Sequence, residues 1–224
     1  ALLNSLGIRL VLVHGSRPQI DRRLAHAGID SNFHNGVRIT DSAAIDHVKD
    51  AAGALRTPFE ALLSMGLPNS PMQGSSIRVC SGNFVTARPM GVVDGVDYHL
   101  TGQVRRVDVA GINAQLEAGS VVLLSPLGYS PTGAIFNLSL ADVAVHCAAA
   151  IGADKLLLFS EQAGVRDANN TLIRQCTVGG IKAMSVASER DDALLATAQL
   201  ACLAGVPRCQ IISFTDDCAL LEEL

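Results

Sequence analysis

The side chains in this 224-residue chain best suited to chemistry fall in a few places. One is His14-Gly15-Ser16-Arg17, where the apolar run Leu10 to Val13 stops and a segment of helical amphipathicity, Gln19 to Leu24, begins. A strand–turn–helix junction of this kind is where α/β folds hold anions, because the free N–H groups and the dipole of the helix point at them. A phosphate cradle needs several glycines so that backbone amides can turn inward at close range. Here there is one, Gly15, and the turn matches neither G-x-x-x-x-G-K-[ST] nor G-x-G-x-x-G. A second candidate is Arg38, just ahead of a helix, whose fork suits a carboxylate as well as it suits solvent. A third group is Asn137, Ser139, Asp142 and Glu161, at the ends of two expected strands and the starts of the helices after them. They either converge over one cleft or cap helices, and Ser139 and Asp142 read as caps. Finally, Leu220-Leu221-Glu222-Glu223-Leu224 sets paired carboxylates on a helix, as partners for a cation or as a solvated face.

Other chemistries find no support. None of the six histidines has a nucleophile context, so no Ser/His/Asp or Cys/His set can be proposed. The six cysteines show neither C-x-x-C nor zinc spacing, so the expectation is no metal and no disulfide framework, with small buried thiols in a reducing compartment. A net charge of −4 without a basic stripe argues against nucleic acid as partner. No apolar window is long enough to span a membrane and no signal sequence opens the chain, so a cytoplasmic or organelle-matrix protein is expected.

The elements that must position these groups follow from periodicity. Leu10–Val13, Val121–Leu124, Lys155–Phe159 and Gln210–Phe214 read as strands buried on both faces, as in a parallel sheet covered by helices. The composition agrees: 49% apolar residues, six phenylalanines, two tyrosines and no tryptophan leave Ala, Val, Leu and Ile to build the core. A helix is expected from Thr40, with Thr40 as its cap and Ala44, Ile45, Val48, Ala51, Ala52 and Leu55 as its stripe, until Thr57-Pro58 breaks or kinks it. Phe59–Met65 continues as a second helical stretch into a loop over residues 66–71. Ile77 to Val107 carries short β pieces and a hairpin around His99 to Gln103, an antiparallel excursion. Further helices are expected at Val109–Glu117, Leu138–Ile151, Asp191–Ala204 and Asp216–Leu224. The whole reads as one α/β domain with a β-rich insertion.

Several stretches together resemble a known family. They are Leu6 to Gly15 with Pro18 to Asp21, Val37 to Asp41, Ser81 to Phe84, Gly91 to Tyr98, Phe136 to Leu138, and Leu220 to Leu224. On these the chain resembles the amino-acid kinase fold, and within it the kinase-like N-terminal domain of the N-acetylglutamate synthases. Gly-Asn-Phe followed by Gly-Val-x-Asp-Gly-Val-Asp is similar to the synthases, whereas the first stretch alone is shared with N-acetylglutamate kinase. The resemblance implies a three-layer sandwich around a mainly parallel open sheet. It implies that this piece lacks the fold's first strand, before residue 1, and the acetyltransferase domain that follows in the family. It also implies a homo-oligomer.

Departures from the kinase pattern are informative. Where the kinase has a glycine-rich turn for the transferring phosphoryl group, this chain has Ser16 and Arg17 after Gly15. Where the kinase has an Asp organising its lysines, alignment on Asn137 gives Ala141. Gly15, Ser16, Arg17, Arg38 and Asn137 therefore outline a kinase-like cleft without phosphoryl transfer, the alternatives being an active N-acetylglutamate kinase that uses ATP or an oligomerisation domain with an empty pocket. The family makes N-acetylglutamate from acetyl-CoA and glutamate at the start of arginine biosynthesis, and its kinase-like domain senses L-arginine. The acidic residue of the arginine pocket falls on Glu223 and a histidine of that pocket falls on Gln210. No cofactor is implied for this piece, acetyl-CoA being a substrate of the other domain.

Overall fold

The computed structural model describes residues 2–65, 77–181, 186–216 and 219–222. They fall into two compact units, Ala1–Val143 and Ala144–Leu224.

The first unit opens with a short helix, α1 (Leu2–Ser5), followed by β1 (Val11–Val13) and α2 (Arg17–Ala27). A hairpin of β2 (Phe33–His34) and β3 (Val37–Arg38) precedes the long α3 (Ala44–Ser64). Then come β4 (Val79–Cys80), β5 (Val85–Pro89), the hairpin β6 (Val92–Val93) and β7 (Val96–Asp97), β8 (Gly102–Val107), and α4 (Val109–Glu117). After these come β9 (Val121–Leu124), β10 (Leu127–Tyr129) and β11 (Ile135–Asn137), and α5 (Leu140–Ala150) runs on into the second unit. A parallel sheet in the order β1-β9-β4 is centred on β9, with Val11 opposite Val122 and Val79 opposite Val121. All four β9 residues are buried, as an unbroken apolar run requires. A mixed sheet, β11-β10-β5-β8, supplies the β-rich part.

Against this sheet system α2 presents Ile20 and Leu24, one helical turn apart, to Ala44, Ile45, Val48 and Ala51 of α3. Val48 is fully buried, a burial worth roughly 1.5–3 kcal/mol for a side chain of this size. The alanines let the two helices approach closely.

Three local expectations need correction or narrowing. Asp41, not Thr40, caps α3: its Oδ1 accepts the N–H groups of Ala43 at 3.0 Å and Ala44 at 2.8 Å. Of the two outcomes expected at Pro58, a break is excluded, since the helix continues through it, and Arg56 and Glu60 pair at 2.5 Å across the turn that has lost an N–H donor. The hairpin turn lies not near Thr101 but at Asp94-Gly95, whose φ values of +53° and +79° form a primed turn; residues 102–107 are one strand paired antiparallel with β5.

In the second unit β12 (Leu156–Ser160) is followed by α6 (Val178–Ile181), α7 (Glu189–Leu203), β13 (Cys209–Ser213) and α8 (Ala219–Glu222). β12 and β13 are parallel, with Leu156 opposite Cys209 and Ser160 opposite Ser213. Ser188 caps α7 by accepting from the Asp191 N–H, and Glu189, Asp191 and Asp192 suit the positive end of its dipole. Val145 and Ala148 of α5 pack on Ala201 and Val206. Burial raises the Cys147 thiol to about 11 and that of Cys209 to about 12, which favours the protonated form of both at neutral pH. No helix among the described residues is long and apolar enough to cross a membrane, and none of their His, Cys, Asp and Glu side chains form a group that could hold a metal ion. The expected loop over 66–71, Cys218, Glu223 and Leu224 lie outside the described residues.

Candidate functional site

The site is built on the β1–α2 turn of the first unit. The His14 N–H donates to the Leu124 carbonyl at 3.1 Å, carrying the β1–β9 pairing one residue past the strand. At Gly15 an added Cβ would stand 3.3 Å from the Leu140 side chain, so the turn packs tightly against the start of α5. The Ser16 carbonyl accepts the Ile20 N–H at 2.9 Å, closing the first turn of α2, and Pro18 takes an early helical position where no N–H is needed. The buried Ser16 hydroxyl makes no hydrogen bond among the described residues. His14 is buried too, its ring stacked on Phe59 at 5.5 Å, and burial holds its imidazole below the ordinary value of 6.5.

The Asn35-Gly36 turn, with φ of +49° and +73°, sets Phe33 opposite Arg38 on adjacent strands. Two guanidinium groups use the Phe33 ring: Arg17 Cζ lies 4.4 Å from its centroid and Arg38 Cζ 4.6 Å. Arg38 is only 6% exposed and its fork is engaged. Nη2 donates to Asp21 Oδ1 at 2.5 Å, Nη1 donates to the Ser31 hydroxyl, and that hydroxyl donates to the same Asp21 oxygen at 3.3 Å. Asp21 lies one turn along α2 from Arg17 and reaches into the fork from the helix.

Behind Arg38 is a closed polar network. The Thr101 hydroxyl donates to the Arg38 carbonyl at 2.6 Å and accepts the Thr40 N–H at 3.0 Å. The hydroxyls of Thr40 and Thr101 are 3.1 Å apart, and since the Thr101 proton is spent on Arg38, Thr40 supplies the proton between them. Asn137 Nδ2 then donates to Thr40 Oγ1 at 2.9 Å. Tyr98, 1% exposed, donates to the His34 carbonyl at 3.1 Å and stands 2.8 Å from His34 Nδ1, joining the two hairpins.

Of the residues singled out from the sequence, the structure brings Arg17 and Arg38 together over Phe33 and ties Asn137 to the Arg38 strand through Thr40 and Thr101. Asp142 lies in the first turn of α5, and its Oδ2 accepts the Val104 N–H at 2.7 Å, which holds α5 to β8. The Ser139 carbonyl accepts from Val143. Glu161 lies in the second unit, where it pairs with Arg190 at 2.6 Å, and Gln210 sits on β13 opposite Leu157. Asp21, Ser31, Phe33 and Thr101 were not among the expected site residues. The Asn-Gly turn was the available signal for the facing pair Phe33 and Arg38.

Chemically the turn offers side chains where a phosphate cradle would offer bare backbone, and its buried cation is matched by an internal carboxylate.

The model of the amino acid kinase family matches residues 1–213. The chain belongs to the amino acid kinase family. Within that family, the chain is 56% identical over 225 residues to an amino-acid acetyltransferase of Pseudomonas putida and 54% identical to one of Azotobacter vinelandii. Each match covers all of this chain and 52% of the relative, so the chain spans about half the length of the curated relatives it matches. The N-acetylglutamate synthase of Neisseria gonorrhoeae, solved with coenzyme A and L-arginine, superposes with a TM-score of 0.92 at 36% identity, over 100% of this chain and 53% of that one. At 12% identity and a TM-score of 0.63, with 99% of this chain and 82% of that one covered, carbamate kinase of Giardia lamblia shares the fold alone. The chain thus has the amino-acid kinase fold, an α/β architecture with mainly parallel sheets.

Proposed function

We propose that this chain is the kinase-like, arginine-sensing domain of an N-acetylglutamate synthase, an acyltransferase that makes N-acetylglutamate from acetyl-CoA and L-glutamate for arginine biosynthesis. The observation that carries the reading is the 56% identity to amino-acid acetyltransferases along the entire chain. Acetyl transfer is assigned to the part of those relatives that this chain does not span. Phosphoryl transfer is disfavoured here because it depends on positioning and charge neutralisation, and Ser16, Arg17 and Ala141 replace the groups that would provide them.

In this reading L-arginine binds in the second unit with the Glu223 carboxylate facing its guanidinium, the pairing in which a planar fork meets two oxygens. Gln210 adds a polar contact. Regulation then requires that arginine bind two arrangements of the full-length protein with different affinity. The test is an acetyltransferase assay on the full-length protein with acetyl-CoA and glutamate, across a series of arginine concentrations. The expected result is N-acetylglutamate formation whose rate responds to arginine, with Glu223→Ala active but unresponsive. A fully arginine-responsive Glu223→Ala enzyme would overturn the site, and the absence of acetyl transfer would overturn the activity.

A further inference from the structure

Beside the apolar seam that joins α2 to α3 runs a groove of about 660 Å³, and its lining is unlike the seam. Helical spacing brings Arg22, Arg23 and His26 to it from α2, and His47 and Asp50, one turn apart, from α3. Two guanidiniums and two imidazoles thus share the groove with a single carboxylate. That carboxylate meets Arg23 at 3.5 Å with both side chains exposed, an ion pair of little strength. The Arg22 guanidinium has no hydrogen bond or ion pair among the described residues. His26 is held in place: its Nδ1 stands 2.8 Å from the Arg22 carbonyl, which can only accept, so Nδ1 carries the hydrogen and Nε2 is left to meet a ligand. Gln19 lines the groove too, and its Oε1 is shielded from solvent without accepting a hydrogen bond among the described residues, a deficit that a donor on a ligand removes after a turn of the amide. None of Gly15, Ser16, Arg17, Arg38 and Asn137 lines the groove, so it is separate from the kinase-like turn.

We propose that this groove binds the phosphate monoester of a small organic molecule, with the phosphoryl group among Arg22, Arg23 and the two imidazoles and the organic body along Ala27, Ala54 and Leu55. Cations arriving from two helices favour a phosphoryl group over a carboxylate. Its three terminal oxygens and charge of about −1.5 to −2 can engage both sides, whereas the two oxygens of a carboxylate lie in one plane and suit a single fork. Near neutral pH such a group carries a proton part of the time, a donor matched to the bare Nε2 of His26. The volume leaves room for the rest of the molecule, since small-molecule sites commonly span about 300–1,000 Å³. Asp50 is the one group in the groove that opposes binding: it offers Arg23 a competing carboxylate and repels the incoming charge. The site shares no residue with the one proposed for arginine, so either can fail without the other.

The probe is glycerol 2-phosphate, titrated calorimetrically into the chain, with sodium chloride at equal ionic strength and free glycerol as controls. Saturable binding to the unsubstituted protein is expected, and inorganic phosphate should compete with it. Replacing both arginines, Arg22→Gln with Arg23→Gln, should weaken binding at least about tenfold. Asp50→Asn removes the opposing carboxylate from an exposed position and should tighten binding by about threefold, a gain that a damaged fold cannot produce. No saturable binding to the parent or to Asp50→Asn, an equal response to sodium chloride or glycerol, and failure of inorganic phosphate to compete would each overturn the site. So would undiminished affinity in a folded double arginine variant, an Asp50→Asn form that binds no more tightly than the parent, or tighter binding of citrate, which would make the groove a polycarboxylate site instead.

Discussion

Replacing Thr101 by valine removes one hydroxyl from a fully buried position and changes almost nothing in shape, so it isolates the polar network behind Arg38. That hydroxyl donates to the Arg38 carbonyl at 2.6 Å, accepts the Thr40 N–H at 3.0 Å, and meets the Thr40 hydroxyl at 3.1 Å. Valine strands a buried acceptor and a buried donor on the backbone, and each such group costs about 1–3 kcal/mol when water cannot reach it. The extra methyl returns a little through packing, so a net loss of ~3 kcal/mol is expected. For a chain of this length that corresponds to a fall in melting temperature of roughly 6–12 °C by calorimetry. Thr101→Ser keeps the hydroxyl and deletes one methyl, and should cost only about 1 kcal/mol. If the valine variant melts within about 3 °C of the parent, or if serine costs as much as valine, the network does not anchor Arg38 as described.

Two further perturbations probe the same unit. Because burial holds the folded His14 imidazole below 6.5, the unfolded chain takes up a proton first as pH falls. Stability from this group is therefore fully present above 6.5 and lost on acidification through the lower folded value; melting temperatures read from about pH 7 down to about pH 5 should drop, and His14→Gln should flatten that profile. At Gly102 an added Cβ would stand 2.8 Å from both the Arg88 carbonyl and the Phe136 Cβ, so Gly102→Ala should cost about 1–3 kcal/mol or more in urea unfolding, while Gly53→Ala on α3, with open space around it, should be neutral or stabilising.

Much of the architecture was legible because single elements carry their own signals. Four consecutive apolar residues gave β9 its bounds, and α4 begins where Asp108 accepts the Gly111 N–H and ends before Gly119 at φ +76°. The two primed-turn hairpins were missed because their strands are two residues long, too short for an alternating pattern to show around Asn35-Gly36 and Asp94-Gly95. Thr40 and Asp41 are both competent caps, and what assigns the role is remote. Thr101 and Asn137, 61 and 97 residues away, claim the Thr40 hydroxyl and leave the helix to Asp41. The same holds for Arg38. Its suitability for a carboxylate was visible in its type, but that Asp21 would fill the fork depends on α2 folding back beside β3, which no local pattern records.

In the proposed function, a kinase fold senses L-arginine through the Glu223 carboxylate. Calorimetric titration of L-arginine into this chain, in parallel with its Glu223→Ala form, tests that most directly. Saturable binding to the parent that the substitution removes is the predicted result; no binding to the parent, or equal binding to both, would contradict it.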